Sequence, residues 1–277
     1  MRQLNRQATF TERTLLAEPR GFRDRAAALC LSLTLISVAF SARPVRCQQR
    51  QPDEARTLNE RGKAAAKATR YAEAIEAFER AIRLRPDYAE AHNNLGTVYD
   101  ALHQYPQAVE HFRETLRLQP THAEAHYNLG NTYIDLRQYR EAVELLRRAL
   151  RLRPNFPEAL NDLGTAYAHL GESEKALASF GQALRLKPEF AEAYNNLGTA
   201  QAERGRLREA VESFRRAVGL KPDFATAHFN LGAVFLLLKD RDAALAQREI
   251  LKALSPELSG KLYEGIYADK LLVVKQE

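Results

Sequence analysis

The 277-residue chain has no tryptophan, one methionine and only two cysteines. Cys30 and Cys47 are too few for a disulfide scaffold or for a zinc site built on thiolates. β-Branched residues seldom run together, so little in the sequence favours strands. With 13 glycines and 11 prolines the chain is not collagen-like or mucin-like, and its 45% hydrophobic content excludes wholesale disorder. A glycine-rich phosphate loop, a metal-ligand cluster and a nucleophile with a positioned base are all missing, so neither an enzyme nor a cofactor is expected. Alanine and leucine are abundant, which favours an all-α chain.

The first 42 residues read as an address. Six arginines against three acids in residues 1–25 precede an uncharged run, Ala26–Phe40. Fifteen residues fall short of the roughly 20 that a bilayer-spanning helix needs. The run suits the hydrophobic part of a secretory signal, with small Ala39 and Ser41 placed for cleavage before Ala42. A periplasmic or secreted product follows. The long basic lead keeps a second reading open, an uncleaved anchor, which is the only membrane attachment expected. Loss of residues 1–42 lowers the formal net charge from +6 to +3, too mild to imply a nucleic-acid partner. The polar residues 43–54 read as a linker.

A period of 34 organises the rest. Proline falls at 86, 120, 154, 188, 222 and 256, glycine at 62, 96, 130, 164, 198 and 232, and alanine at 74, 108, 142, 176, 210 and 244. Six units result: 55–88, 89–122, 123–156, 157–190, 191–224 and 225–258. Each divides into two amphipathic helices. In the second unit Ala91, Leu95, Val98, Tyr99 and Leu102 form one apolar face, and Ala108, Phe112, Thr115 and Leu116 form the next. Gly96 admits its partner helix closely, and Pro120 stops the second helix. Thr121 with Glu124 reads as a capping box that starts the following helix, with Asp87/Glu90 and Asn155/Glu158 as related pairs.

The pattern Leu95-Gly96, Tyr99, Ala108, Phe112, Pro120 returns as Leu129-Gly130, Tyr133, Ala142, Leu146, Pro154 and again as Leu163-Gly164, Tyr167, Ala176, Phe180, Pro188. It resembles the tetratricopeptide repeat (TPR), and the Asn-Asn-Leu-Gly signatures are similar to the arrays of O-linked N-acetylglucosamine transferase and of many bacterial TPR proteins. The resemblance implies a right-handed superhelical α-solenoid that binds a protein or peptide partner. The glycosyltransferase region of that enzyme has no room here. The end units depart from the pattern as ends should, with Arg61 and Ala65 in the first and Arg248 in the sixth. Residues 259–270, with Leu262, Tyr263, Ile266 and Tyr267, read as a capping helix, followed by a tail to 277.

In the family the first helices line a concave groove, through unit positions 2, 5, 6, 9, 12 and 13. The proposed peptide-binding set is Asn93, Asn94, Asp100, Tyr127, Asn128, Asn131, Asp135, Asp162, Asn195, Asn196, Glu203 and Asn230. Glu90, Glu124, Glu158 and Glu192 add charge, so an acidic groove selecting extended, neutral-to-basic peptides is expected. Asparagine is a poor helix former, so its recurrence needs a reason. It is either a ladder of amides for a peptide backbone or a structural ladder between repeats. His122 and His126, four apart, read as packing rather than as a metal pair. Arginines and lysines of the second helices read as a solvated convex face. Two other functions stay open: a spacer or assembly factor in an envelope complex using the convex ridge, and the interaction subunit of a split enzyme. The sequence leaves the oligomeric state unspecified.

Overall fold

The computed structural model describes residues 50–267, so the expected signal, most of the linker and the tail from 268 lie outside the described residues. The described residues form thirteen helices and no strand. They are α1 (Arg50–Lys67), α2 (Tyr71–Leu84), α3 (Ala89–Ala101), α4 (Tyr105–Leu118), α5 (Ala123–Asp135), α6 (Tyr139–Leu152), α7 (Pro157–His169), α8 (Ser173–Leu186), α9 (Ala191–Glu203), α10 (Leu207–Leu220), α11 (Ala225–Leu237), α12 (Arg241–Leu254) and α13 (Pro256–Tyr267). Each helix packs on the next, and the first helices of successive units also touch one another. This is an all-α helical-repeat solenoid. None of these helices is long and apolar enough to cross a membrane.

Each first helix ends in the same way. Its final turn closes on a residue in the left-handed region: Thr69, His103, Arg137, Gly171, Gly205 and Lys239, with φ between 56° and 75°. At α3 the His103 N–H donates to the Asp100 carbonyl and the Gln104 N–H to the Tyr99 carbonyl, both at 2.8 Å. That paired closure satisfies the last carbonyls and reverses the chain within a few residues. The second helices stop where the repeat proline disfavours helical geometry in the residue before it.

The helix pair is held by a small residue facing a large one. Ala74, Ala108, Ala142, Ala176, Ala210 and Ala244 are all fully buried. A Cβ placed on Gly96 would lie 2.7 Å from Phe112 Cε1, and one on Gly164 would lie 2.6 Å from Phe180 Cε1. In the sixth unit, where Arg248 replaces the phenylalanine, Leu262 of α13 comes within 2.6 Å of the same point on Gly232. The last helix thus supplies the core side chain that its neighbouring unit lacks.

Three expectations are corrected. Residues 50–54 of the expected linker belong instead to α1, which begins at Arg50; Pro52 sits in its first turn, where a missing N–H costs nothing. The capping helix starts at Pro256 rather than 259, proline being well suited to a first helical turn. The capping boxes do not form as read. The N-cap of α5 is His122, whose Nδ1 accepts from the Ala125 N–H at 3.1 Å. The N-caps of α3 and α7 are Tyr88 and Phe156, which make no side-chain cap bond. These helices start one residue later than the Ser/Thr/Asp/Asn signal suggests, and a cation covers each N-cap ring: the Arg85 guanidinium lies 3.5 Å from the Tyr88 ring centre, and that of Arg153 lies 3.3 Å from Phe156.

Candidate peptide-binding groove

The asparagines of the first helices form rungs between units. Asn94 Nδ2 donates to Asn59 Oδ1 at 3.0 Å, Asn128 to Asn93 at 3.2 Å, Asn196 to Asn161 at 3.1 Å and Asn230 to Asn195 at 3.0 Å. Each rung joins position 6 of one unit to position 5 of the unit before. Asn93, Asn195 and Asn230 are buried, whereas Asn94, Asn128 and Asn196 remain half-buried on the groove side. A rung contributes about 0.5–1.5 kcal/mol net, and an orphaned buried amide costs about 1–3 kcal/mol. That outweighs the modest helix-propensity penalty of asparagine.

One rung is built differently. Position 5 of the third unit is Tyr127, which has no amide oxygen to accept from a following asparagine, and position 6 of the fourth is Asp162. The Tyr127 hydroxyl donates to the Asp162 carboxylate. Asn131 Nδ2, at 3.2 Å, and Asn161 Nδ2, at 3.0 Å, donate to the same carboxylate. Burial pushes the Asp162 carboxyl above the ordinary range despite these three donors. Burial also raises the Tyr127 phenol, with the nearby Asp162 charge adding to it. The phenol therefore stays protonated as the donor.

Asp100 and Asp135 lie deeper in α3 and α5. Asp100 is half-buried and accepts from the Thr132 hydroxyl at 2.6 Å; Asp135 is exposed. Both carboxyls are raised, first by loss of solvation and, at Asp135, by the Asp100 charge as well. Neither forms an ion pair among the described residues.

The uniformly acidic groove is narrowed by lysines that the sequence reading left out. Lys63 Nζ lies 3.4 Å from Glu90, Lys187 lies 2.9 Å from Glu158, and Lys221 lies 3.3 Å from Glu192. Lys63 stands at groove position 9 of the first unit, on α1, whereas Lys187 and Lys221 cap the ends of α8 and α10, outside the groove pattern. Among these groove acids, Asp100, Glu124, Asp135 and Glu203 form no ion pair among the described residues. Some of the convex cations are engaged too: Arg83, Arg117, Arg147 and Arg215 pair with Glu79, Glu114, Glu144 and Glu212 on their own helices. The position-4 histidines pack as read. His92, His126 and His228 bring Nε2 within 3.3, 3.0 and 2.9 Å of the carbonyls of Pro86, Pro120 and Pro222. Among the described residues no group of three potential ligands could hold a metal.

Two clefts open between neighbouring first helices, lined from positions 6, 9, 12 and 13. The one between α7 and α9 holds about 120 Å³ and is edged by Thr165, His169, Asn196, Thr199 and Glu203. The one between α9 and α11 holds about 400 Å³ and is lined mainly by Ala202, Leu207, Ala233, Val234 and Leu237, with Glu203 and Asn230 at its edge. The sequence reading missed this apolar stretch because it followed the groove only through the four central units. The signal was present in Ala233 and Leu237, where the third to fifth units carry Asn131, Thr165 and Thr199 and Asp135, His169 and Glu203.

A stack of two-helix units presenting one continuous face of first-helix side chains defines a helical-repeat scaffold for protein–protein interaction. Family models described as tetratricopeptide repeat match residues 53–121 and 87–155, and residues 127–189, 170–223 and 197–257. The chain belongs to the tetratricopeptide repeat family. No curated protein matches it in sequence. Among solved structures it is similar to the APC/C hetero-tetramer Cut9–Hcn1, at 21% identity and TM-score 0.71, over 80% of this chain and 44% of that one. It thus spans less than half of that protein. Pseudomonas aeruginosa PilF matches at 19% identity and TM-score 0.70, over 80% of this chain and 100% of the other. YrrB, described as a TPR protein with an unusual peptide-binding site, matches at 26% identity and TM-score 0.54, over 69% of this chain and 99% of its own.

Proposed function

We propose that the chain is an exported, non-enzymatic scaffold that holds an extended, neutral-to-basic segment of a partner protein in the groove of its first helices. The observation that carries this reading is the placement of Asp100 and Asp135 on adjacent units without a paired cation. Half-buried Asn94, Asn128 and Asn196 beside them offer amides to a peptide backbone. The peptide-binding site of YrrB supports the same use of a related array. Nucleic acid is not a partner in this reading, since the groove side carries unpaired carboxylates and several second-helix arginines pair with glutamates of their own helices. Export rests on the run Ala26–Phe40, and N-terminal sequencing of the mature protein tests it.

A peptide array followed by salt titration tests the groove. Lysine- or arginine-containing extended peptides should bind better than acidic ones, more weakly as salt rises. Asp135→Asn should reduce that binding a few-fold while leaving the fold intact. A preference for acidic peptides, lost on replacing convex Arg148 and Arg216 and indifferent to Asp135→Asn, would move the binding surface to the opposite face.

A further inference from the structure

Helix α11 differs from every other first helix in being apolar on nearly all sides (Ala-Thr-Ala-His-Phe-Asn-Leu-Gly-Ala-Val-Phe-Leu-Leu). A helix of that composition belongs in an interior. Its Phe229, Leu231 and Val234 are indeed buried against the preceding unit, α12 and α13. The side bearing Ala233 and Leu237 is only half-buried and forms one wall of the 400 Å³ cleft against α9. The neighbouring cleft between α7 and α9 serves as an internal comparison. At corresponding positions it carries Thr199 and Glu203 where this one carries Ala233 and Leu237, and it is far smaller.

Charge narrows what the cleft can take. Glu203 borders both clefts and has no ion pair among the described residues. The cations that follow it in the chain are committed elsewhere: Arg204 lies 2.7 Å from Glu174, and Arg206 also reaches Glu174. An apolar recess with a free carboxylate on its rim complements a large aliphatic or aromatic side chain next to a lysine or arginine.

We propose that the cleft between α9 and α11 is an anchor subsite, taking an aliphatic or aromatic side chain of the bound peptide while an adjacent basic residue pairs with Glu203. The subsite rests on the groove reading above and adds specificity to it. It also gives the peptide a register, since an apolar recess of this size occurs between one pair of units and not between the pair before it.

The test uses the full chain and short acetylated peptides in a serine–glycine frame carrying Lys-Leu, Lys-Ala or Ser-Leu, followed by fluorescence anisotropy. On the unaltered protein the Lys-Leu peptide should bind roughly tenfold more tightly than Lys-Ala. Ala233→Asn installs the residue that the third unit carries at this position, Asn131, so it is compatible with the repeat. It should abolish the leucine preference, so that Lys-Leu and Lys-Ala bind alike. Glu203→Gln should abolish the advantage of lysine over serine and keep that of leucine. Equal binding of Lys-Leu and Lys-Ala overturns the subsite, as does a leucine preference that survives Ala233→Asn. If Lys-Ala then still binds in a manner sensitive to Asp135→Asn, the groove reading stands without the subsite. If no peptide binds, both fall.

Discussion

At the scale of single residues the groove is governed by the rule that a buried polar atom needs a partner. Four rungs pair asparagine with asparagine across units. Where the acceptor position becomes Tyr127, the opposite residue becomes Asp162, so a hydroxyl donor meets an acceptor-only group. Tyr127→Phe should therefore cost about 1–3 kcal/mol, the range for leaving a buried acceptor without its donor. The pH dependence has a definite sign. Because the folded Asp162 carboxyl is raised, its ionisation costs stability as pH climbs from the ordinary aspartate range through the raised value. The tyrosine donor offsets that cost only while the carboxylate is charged, so the deficit of Tyr127→Phe should shrink as the pH is lowered toward 4. Urea unfolding of both proteins at pH 7 and at acidic pH measures it, and a deficit that grows on acidification would contradict the pairing. The recurrence of asparagine was legible in the sequence, but the partner 35 residues away was not. The lysines that neutralise Glu158 and Glu192 were hidden for a similar reason, since they sit at the ends of the second helices, outside any first-helix pattern.

At the scale of helices the repeat was readable because three residue types keep one register, and each has a steric cause. Proline stops the second helix, alanine makes room, and glycine lets an aromatic ring lie against backbone. Helix starts were less readable. The hydrophilic residues that resemble caps lie one position too early, and the true N-cap positions hold aromatics covered by cations from the preceding turn. The glycine contact predicts a graded response. Alanine is favoured over glycine in a helix by about 1 kcal/mol, whereas overpacking costs about 1–3 kcal/mol. At Gly164 the new Cβ would stand 2.6 Å from the Phe180 ring, and at Gly130 it would stand 3.0 Å from Leu146 Cγ, beside a side chain that can change rotamer. Gly164→Ala should lower thermal stability clearly, and Gly130→Ala should lower it less. Circular-dichroism melts of the two variants decide the matter, and the reverse order would mean that the ring rather than the leucine gives way.

At the scale of the whole array, stability is a sum of units and their interfaces, so the ends matter more than their length suggests. The sixth unit lacks the phenylalanine or, in the third unit, leucine that its predecessors place over glycine, and α13 compensates by inserting Leu262 from outside the repeat pattern. Leu262 is 1% exposed and joins Leu231, Val234 and Leu251 in one cluster that continues into the fifth unit. A helix after position 258 was legible in the spacing of its apolar residues; its replacement of a missing core residue was not, because that depends on where α13 lands. Leu262→Ala should cost about 2–5 kcal/mol locally. In a solenoid that cost need not melt everything at once, since each unit touches only its neighbours. Hydrogen exchange should therefore show loss of protection in α11, α12 and α13, a smaller loss in α9 and α10, and unchanged protection from α3 to α6. The cleft between α9 and α11 would be disturbed by the same variant, so anchor-dependent peptide binding should weaken in step with α11 protection. Uniform loss of protection along all helices would instead mean that the array unfolds as one cooperative block and that α13 closes the core of the whole chain, not only that of its last unit.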